Sequence, residues 1–213
     1  NYASFLVDKA SISVESISEI LSIIPENKRA NYDEKLIQEL YLRYQENEVD
    51  DSLVIKALQA EIIDHDVLVL APGKSVVSFE NVIKEYIAAY QPFVISINFR
   101  PQNIRVDKVF ISNAKRFSEQ SVFGSLILTS NIKSDKALRL NYGSYLNNSD
   151  MPDNSALMLL KVLMKIGVKN VALAGMDGFS KGNDNYFSVD MINNAKLGEV
   201  DRRNEIMSRM LKI

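Results

Sequence analysis

The spacing of the apolar positions changes near residue 66 of this chain. Before that point, apolar residues recur every three or four positions, which is the spacing of an amphipathic helix. After it, short continuous runs of apolar residues alternate with stretches of helical spacing. Continuous apolar strands are typical of a sheet that is covered on both faces. The pattern therefore predicts a helical N-terminal arm followed by an α/β domain.

Five apolar runs predict the strands of this domain, and three amphipathic stretches predict its helices. The strands are expected at residues 67–71, 93–97, 108–112, 125–129 and 170–174. The helices are expected at residues 76–90, at 155–166 with Gly167 as the C-terminal cap, and near 199–211. This order predicts a Rossmann-like, mainly parallel sheet with helices on both faces. We expect the arm to comprise residues 1–62 and the domain residues 63–213.

Composition narrows the classes of function. The chain has 213 residues, of which 46% are hydrophobic, and a net charge of −2, so no general attraction to nucleic acid is expected. Residues 1–66 hold 14 acidic and 6 basic side chains, a net charge of −8, whereas residues 91–116 hold five basic side chains and one acidic. Such asymmetry is compatible with an anionic ligand, although a solvated surface is its commoner cause.

Several kinds of site are excluded by residue type. The chain has no cysteine and its only histidine is His65, so thiolate chemistry and metal sites built on several imidazoles are ruled out. An all-oxygen cation site is the one metal site that these residues allow. No apolar run approaches the roughly 20 residues of a membrane span, and no signal peptide is evident. A cytoplasmic protein without a membrane partner is therefore expected.

The stretch APGKS, residues 71–75, raises the question of phosphate binding. It is not a Walker A loop, because Leu68 stands where that motif needs glycine, and it has one glycine where a dinucleotide fingerprint needs three. A Pro-Gly turn before a helix nevertheless lets a ligand approach the backbone, and Ser75 is expected at or near the N-cap, where an anion is favoured. The alternative is that Gly73 only makes a turn and Ser75 only caps the helix.

Small polar side chains follow the other predicted strands. Asn98 follows the second strand, Asn113 the third, and Asp177 the fifth, while Lys115 and Arg116 could neutralise a phosphate. The carboxyl ends of parallel strands meet at one edge of a sheet, where ligands of open α/β sheets bind. Asn and Asp after strands often only form turns, but several strand ends with such residues favour a ligand site.

Four segments, LAPGKS, VISINF, VFISNAKRF and DNSALMLLKVLMKIGVKNVALAGMDGF, resemble Rossmann-like proteins related to bacterial sialyltransferases. They are also similar to hydroxymethylpterin-pyrophosphokinase-like domains. The resemblance covers roughly residues 66–180 and implies a nucleotide pocket. Carried over to this sequence, the lining residues are Pro72, Gly73, Lys74, Ser75, Asn98, Asn113, Ser155, Gly175 and Asp177. Sialyltransferases use a histidine base, which has no counterpart here, so transfer of that type is in doubt.

Residues 1–47 resemble the helical tail that follows the barrel in some bacterial aldolase-type proteins of the hydroxymethylglutaryl-lyase and 4-hydroxy-2-oxovalerate aldolase kind. This resemblance implies a C-terminal domain of a longer protein, with its own barrel as a partner and a divalent metal such as Mn²⁺ or Mg²⁺ in that barrel. No cofactor is expected in these 213 residues. The expected ligand is a nucleotide, nucleotide-sugar or other phosphorylated small molecule.

Two other functions are consistent with the sequence. One is a glycosyl- or nucleotidyl-transferase-like enzyme with Asp177 as the candidate base. The other is a structural oligomerisation domain, and a homodimer is compatible with either function.

We expect the 213-residue chain to show no aldolase activity. Cleavage beside a carbonyl needs a metal or a Schiff-base lysine to stabilise the enolate, and Lys74, the one lysine of the predicted loop, would have its pKa raised by a phosphate rather than lowered. The measurement is turnover of 4-hydroxy-2-oxoacids with Mn²⁺ or Mg²⁺ present. Turnover above the metal-only blank that is lost in Asp177→Ala or Lys74→Ala would contradict this expectation.

Overall fold

The computed structural model describes residues 49–113, 116–117, 125–132, 134, 138–145, 154–180, 186 and 200–211. The helices predicted within residues 1–48, and hence most of the predicted arm, lie outside this part of the chain. Within it, no helix combines the length and apolar character needed to cross a membrane.

The described residues contain one sheet of six parallel strands. They are β1 (Val67–Leu70), β2 (Phe93–Ile97), β3 (Lys108–Ile111), β4 (Leu126–Thr129), β5 (Leu138–Leu140) and β6 (Val171–Ala174). Their spatial order is β5-β4-β3-β2-β1-β6, and every neighbouring pair is parallel. This confirms the predicted Rossmann-like sheet and its five predicted strands. Strand β5 was not predicted, because it has only three residues and includes Arg139.

Five α-helices and one 3-10 helix accompany the sheet in the described ranges. They are α1 (Ser52–Ile62), α2 (Ser75–Ser78), α3 (Glu80–Tyr90), the 3-10 helix (Tyr142–Tyr145), α4 (Ser155–Ile166) and α5 (Val200–Met210). The helix predicted at residues 76–90 is divided at Phe79, whose φ of −112° is not helical. The predicted cap of α4 is confirmed, because Gly167 has a φ of +93° and donates its N–H to the Leu163 oxygen at 3.1 Å.

Helices cover both faces of the sheet, as the continuous apolar strands predicted. All four residues of β1 are buried, and they alternate between two cores: Val67 and Val69 face one, and Leu68 and Leu70 the other. Helices α1 and α4 pack on the first core, whereas α2 and α3 pack on the second. Because Leu58 and Ile62 of α1 are fully buried there, this helix belongs to the cover of the sheet.

The topology changes direction beside β1. From β1 the chain adds strands on one side as far as β5, and it then returns through α4 to place β6 on the other side of β1. The loops that follow β1 and β6 therefore leave adjacent strands at the same edge of the sheet. In open α/β sheets such a switch point is where ligands bind.

A buried carboxylate joins the start of α1 to the rest of this layer. Asp51 is 6% exposed, and it accepts hydrogen bonds from the Tyr145 hydroxyl at 2.8 Å and from the Asn141 N–H at 3.0 Å. The Lys165 ammonium lies 3.4 Å from the same carboxylate and 3.1 Å from the Tyr145 hydroxyl. Burial, and then the hydrogen bond to Asp51, raises the pKa of Tyr145, so its phenol remains a donor.

We expect Asp51→Asn to lower the free energy of unfolding by about 2 kcal/mol, because it removes a buried charged acceptor from several donors. The midpoint of urea denaturation measures the change. Asp50→Asn is the matched control, since Asp50 is exposed and bonds only to the nearby Ser52 N–H and hydroxyl among the contacts described. An equal shift in both variants would contradict a specific role for Asp51.

Candidate functional site

The loops after β1 and β6 touch through two glycines. The Gly73 N–H donates a hydrogen bond to the Gly175 oxygen at 2.9 Å. A Cβ atom on Gly73 would lie 2.2 Å from that oxygen, and one on Gly175 would lie 2.0 Å from the Ala71 oxygen. Gly175 also has a φ of +77°, which side chains rarely tolerate. Both glycines are therefore required by the packing of one loop on the other.

Asp177, in the β6 loop, also contacts the start of α2. Its Oδ2 accepts the Ser75 N–H at 2.7 Å, and its Oδ1 accepts a hydrogen bond from the Ser75 hydroxyl. Ser75 lies near the N-cap, as predicted, because it is the first helical residue. Lys74 occupies the N-cap position itself and makes no side-chain cap hydrogen bond. The carboxylate of Asp177 thus meets the amide and hydroxyl that were expected to receive a ligand anion.

The other predicted residues of this loop surround the same contact. Pro72 is half-buried between β1 and Gly73, and Lys74 is exposed. Tyr186 forms an antiparallel bridge with Gly73, and no sequence pattern predicts a contact between positions so far apart. The first loop therefore packs against the β6 loop and against Tyr186.

A second polar group lies at the carboxyl ends of β2 and β3. The Asn98 side chain donates from Nδ2 to the Ser155 hydroxyl at 2.8 Å, and the Ser112 and Ser155 hydroxyl oxygens are 2.5 Å apart. Asn98 has a φ of +60°, and its N–H donates to the Phe110 oxygen at 2.9 Å. The structure thus brings Asn98 and Ser155 together, and it joins two strand ends to the start of α4.

Strand β4 contributes to this polar group through a residue that the sequence analysis missed. Asn131 donates from Nδ2 to the Ser112 oxygen at 3.1 Å, and its Oδ1 accepts a hydrogen bond from the Thr129 hydroxyl at 2.6 Å. The available signal was the polar sequence TSN after a predicted strand, the same pattern that singled out Asn98. Ser155 itself lies beside Asn154, whose side chain accepts the Ala156 and Leu157 N–H groups and caps α4.

The predicted residues beyond β3 are only partly within the described chain. Asn113 is exposed, and its backbone oxygen accepts the Phe117 N–H at 3.0 Å, which starts a helical turn. Lys115 lies outside the described residues. Arg116 is half-buried, and its positive charge acts to lower the pKa of the Tyr186 phenol.

Helix α5 supplies a second positive charge that acts on Tyr186. Burial raises the pKa of Tyr186, and the positive charges of Arg116 and Arg203 oppose this rise, so both charges act on one phenol. Arg203 also lies 5.8 Å from the centre of the Phe179 ring. The sequence analysis missed Arg203, because no local pattern links α5 to the loop after β3.

Asn204 fixes the position of α5 against the β6 loop. Its Oδ1 accepts the Phe179 N–H at 2.7 Å, and its Nδ2 donates to the Phe179 oxygen at 2.7 Å. This two-point contact is made with the backbone, and it holds Arg203 beside the loop that carries Asp177. Helix α5 thus lies against the β6 loop, and the start of α4 lies further along the same edge, at the ends of β2 and β3.

The described residues offer hydrogen-bonding and positively charged groups rather than a metal centre. Among them, no three His, Asp or Glu side chains are grouped so that they could hold a metal ion. His65 lies just before β1, at the opposite end of that strand from Gly73, as the sequence indicated. The arrangement can bind a polar ligand through amides, hydroxyls and guanidinium groups.

Comparisons of this chain with protein-family models, with curated proteins and with solved structures find no match.

We expect Gly175→Ala to be markedly more destabilising than Gly167→Ala. Both glycines have a positive φ, so both substitutions incur the cost of the left-handed conformation, about 1 to 2 kcal/mol. At Gly167 the nearest atom to a new Cβ is Ile63 Cδ1 at 3.5 Å, whereas at Gly175 it is the Ala71 oxygen at 2.0 Å. The clash should add about 1 to 3 kcal/mol to the loss of unfolding free energy.

Urea denaturation of both variants measures this difference. Equal losses would show that the two loops do not need their close contact.

Proposed function

We propose that this chain binds a nucleotide, a nucleotide-sugar or another phosphorylated metabolite at the carboxyl edge of its sheet. The observation that carries the proposal is the hydrogen-bonded group of Asn98, Ser112 and Ser155, which draws the ends of β2 and β3 to the start of α4. Amide and hydroxyl groups at this edge suit the sugar and base of a nucleotide, because each can accept or donate hydrogen bonds.

The positive charges support a phosphorylated ligand. Arg116 and Arg203 act on the same phenol, that of Tyr186, which bridges to the Gly73 loop. Guanidinium groups form paired hydrogen bonds with phosphate oxygens, and two of them near one point favour an anion there. These two charges support a phosphate position beside Tyr186, since the start of α2 already receives the Asp177 carboxylate.

Binding is favoured over group transfer by the surroundings of Asp177. This residue is the best candidate for a catalytic base, yet both of its carboxylate oxygens accept hydrogen bonds from Ser75. These two hydrogen bonds give the carboxylate a structural role in joining the β6 loop to the start of α2. The arrangement supports a binding or regulatory domain.

We also propose, from the resemblance of residues 1–47, that this domain accompanies a bacterial aldolase-type barrel as its accessory domain. The ligand would then report on metabolism to the barrel rather than react within this chain. Determining the reading frame upstream of Asn1 tests the proposal. A frame without a metal-dependent lyase barrel would overturn this assignment and would leave the proposed ligand site unaffected.

Thermal-shift measurements with nucleotides, nucleotide-sugars and sugar phosphates test the binding proposal. A ligand present at about 100 times its Kd should raise the free energy of unfolding by about 2.7 kcal/mol. In a chain of this size, that gain corresponds to a rise in Tm of roughly 5 to 10 °C. The absence of a shift with every compound would overturn the proposal.

A pair of variants on one helix tests the phosphate position. Arg203→Gln should weaken binding of the best phosphorylated ligand about tenfold, because it removes one charged hydrogen-bond donor. Arg209→Gln is the matched control, since Arg209 lies on the same helix, is exposed and pairs with Glu205 at 3.5 Å. Equal Kd values for the two variants would place the phosphate elsewhere.

A further inference from the structure

One polar atom of Asn98, the side-chain oxygen Oδ1, has no hydrogen-bond partner among the described residues. The N–H and the Nδ2 of this residue both donate hydrogen bonds, to Phe110 and to Ser155. Its Oδ1 is shielded from water, but it accepts no hydrogen bond from any described residue. A buried acceptor without a donor is destabilising, because its hydration is lost and not replaced. Such an atom at a ligand-binding edge calls for a donor from outside the chain.

The fold explains the left-handed backbone conformation of Asn98, but it does not explain the side chain. The left-handed conformation turns the chain after β2, so that Phe99 is buried and its oxygen accepts the Ser96 hydroxyl at 2.6 Å. A glycine could make the same turn more easily. The presence of Asn rather than Gly therefore indicates a role for the side-chain amide. The Oδ1 atom of that amide has no hydrogen bond within the described fold.

The chemistry around Oδ1 defines the group that would satisfy it. A carbonyl oxygen accepts hydrogen bonds and repels the anionic oxygens of a phosphate. Either serine can donate across the 2.5 Å contact between Ser112 and Ser155, so the half-buried Ser112 can offer a ligand either a hydrogen or a lone pair. An acceptor beside such a hydroxyl suits a neutral group that donates, such as a sugar hydroxyl or a base amine.

We propose that Asn98 Oδ1 accepts a hydrogen bond from a neutral O–H or N–H group of the ligand, and that this part of the edge excludes the phosphate. The inference rests on the proposed function and deepens it by orienting the ligand. Its uncharged sugar or base lies against Asn98 at the end of β2, and its phosphate lies elsewhere along the edge. Asn98 is then the residue that distinguishes a nucleoside phosphate from phosphate alone.

Two variants of Asn98 separate the amide from the backbone. Asn98→Gly removes the acceptor and accepts the left-handed conformation readily, so it should fold. Asn98→Asp retains an acceptor at the Oδ1 position and still tolerates that conformation. Cooperative urea denaturation of both variants serves as the check on folding.

The binding experiment uses the 5′-monophosphates of adenosine, cytidine, guanosine and uridine, and the 2′,3′-dideoxy analogue of the one that binds most tightly. Calorimetry gives a Kd for each ligand with the wild-type chain and with both variants. We expect Asn98→Gly to raise the Kd of the ribonucleotide about tenfold, which corresponds to one neutral hydrogen bond. Asn98→Asp should bind the ribonucleotide more weakly than wild type because of its negative charge. If the donor is a sugar hydroxyl, this variant should still bind the ribonucleotide more tightly than the dideoxy analogue.

The dideoxy analogue identifies the donor. If Asn98→Gly no longer weakens binding of this analogue, the donor is a sugar hydroxyl. If the variant weakens binding of both ligands equally, the donor is on the base. Unchanged Kd values for both ligands in Asn98→Gly would overturn the inference and leave the proposed function standing. Failure of all four monophosphates to bind the wild-type chain would overturn the inference and also count against a nucleotide as the ligand.

Discussion

The close contact between the β1 and β6 loops is the constraint on which the rest of this edge depends. Neither Gly73 nor Gly175 has room for a side chain, so the two backbones meet directly beyond the sheet. This contact is possible because β6 returns to the free side of β1, which is buried between two covered faces. Asp177 then reaches Ser75, and the following residues hold α5 through Asn204. A wider separation of the loops would undo each of these contacts.

The carboxyl edge of the sheet divides into two regions with different chemistry. At the switch point, Asp177 already occupies the amide and hydroxyl of Ser75, so the loop that first suggested phosphate binding is satisfied within the fold. Further along, Asn98 and its serine partners form an uncharged group with one unused acceptor. Since guanidinium charge acts on Tyr186, this division suits a ligand with a neutral portion and an anionic portion.

The helices that cover the sheet position the polar side chains of this edge, as the strands do. Helix α4 presents Ser155 at its start and Lys165 near its end, and the latter lies beside the buried Asp51. Asp51 in turn joins the beginning of α1 to the 3-10 helix through Tyr145. The same helix therefore takes part both in the buried Asp51 group and in the polar group at the sheet edge.

Local patterns of burial and backbone conformation were enough to predict the sheet, most of its strands and the glycine cap of α4. They also placed Asn98, Gly175 and Asp177 at the carboxyl edge, because parallel strands bring their carboxyl ends together, whereas Ser155 was implied only by the family resemblance. Only the packed structure shows that Ser75 pairs with Asp177, that Asn131 joins the polar group, and that Arg203 lies beside the Phe179 ring. All three contacts depend on how the strand-end loops and α5 pack, which no local pattern encodes.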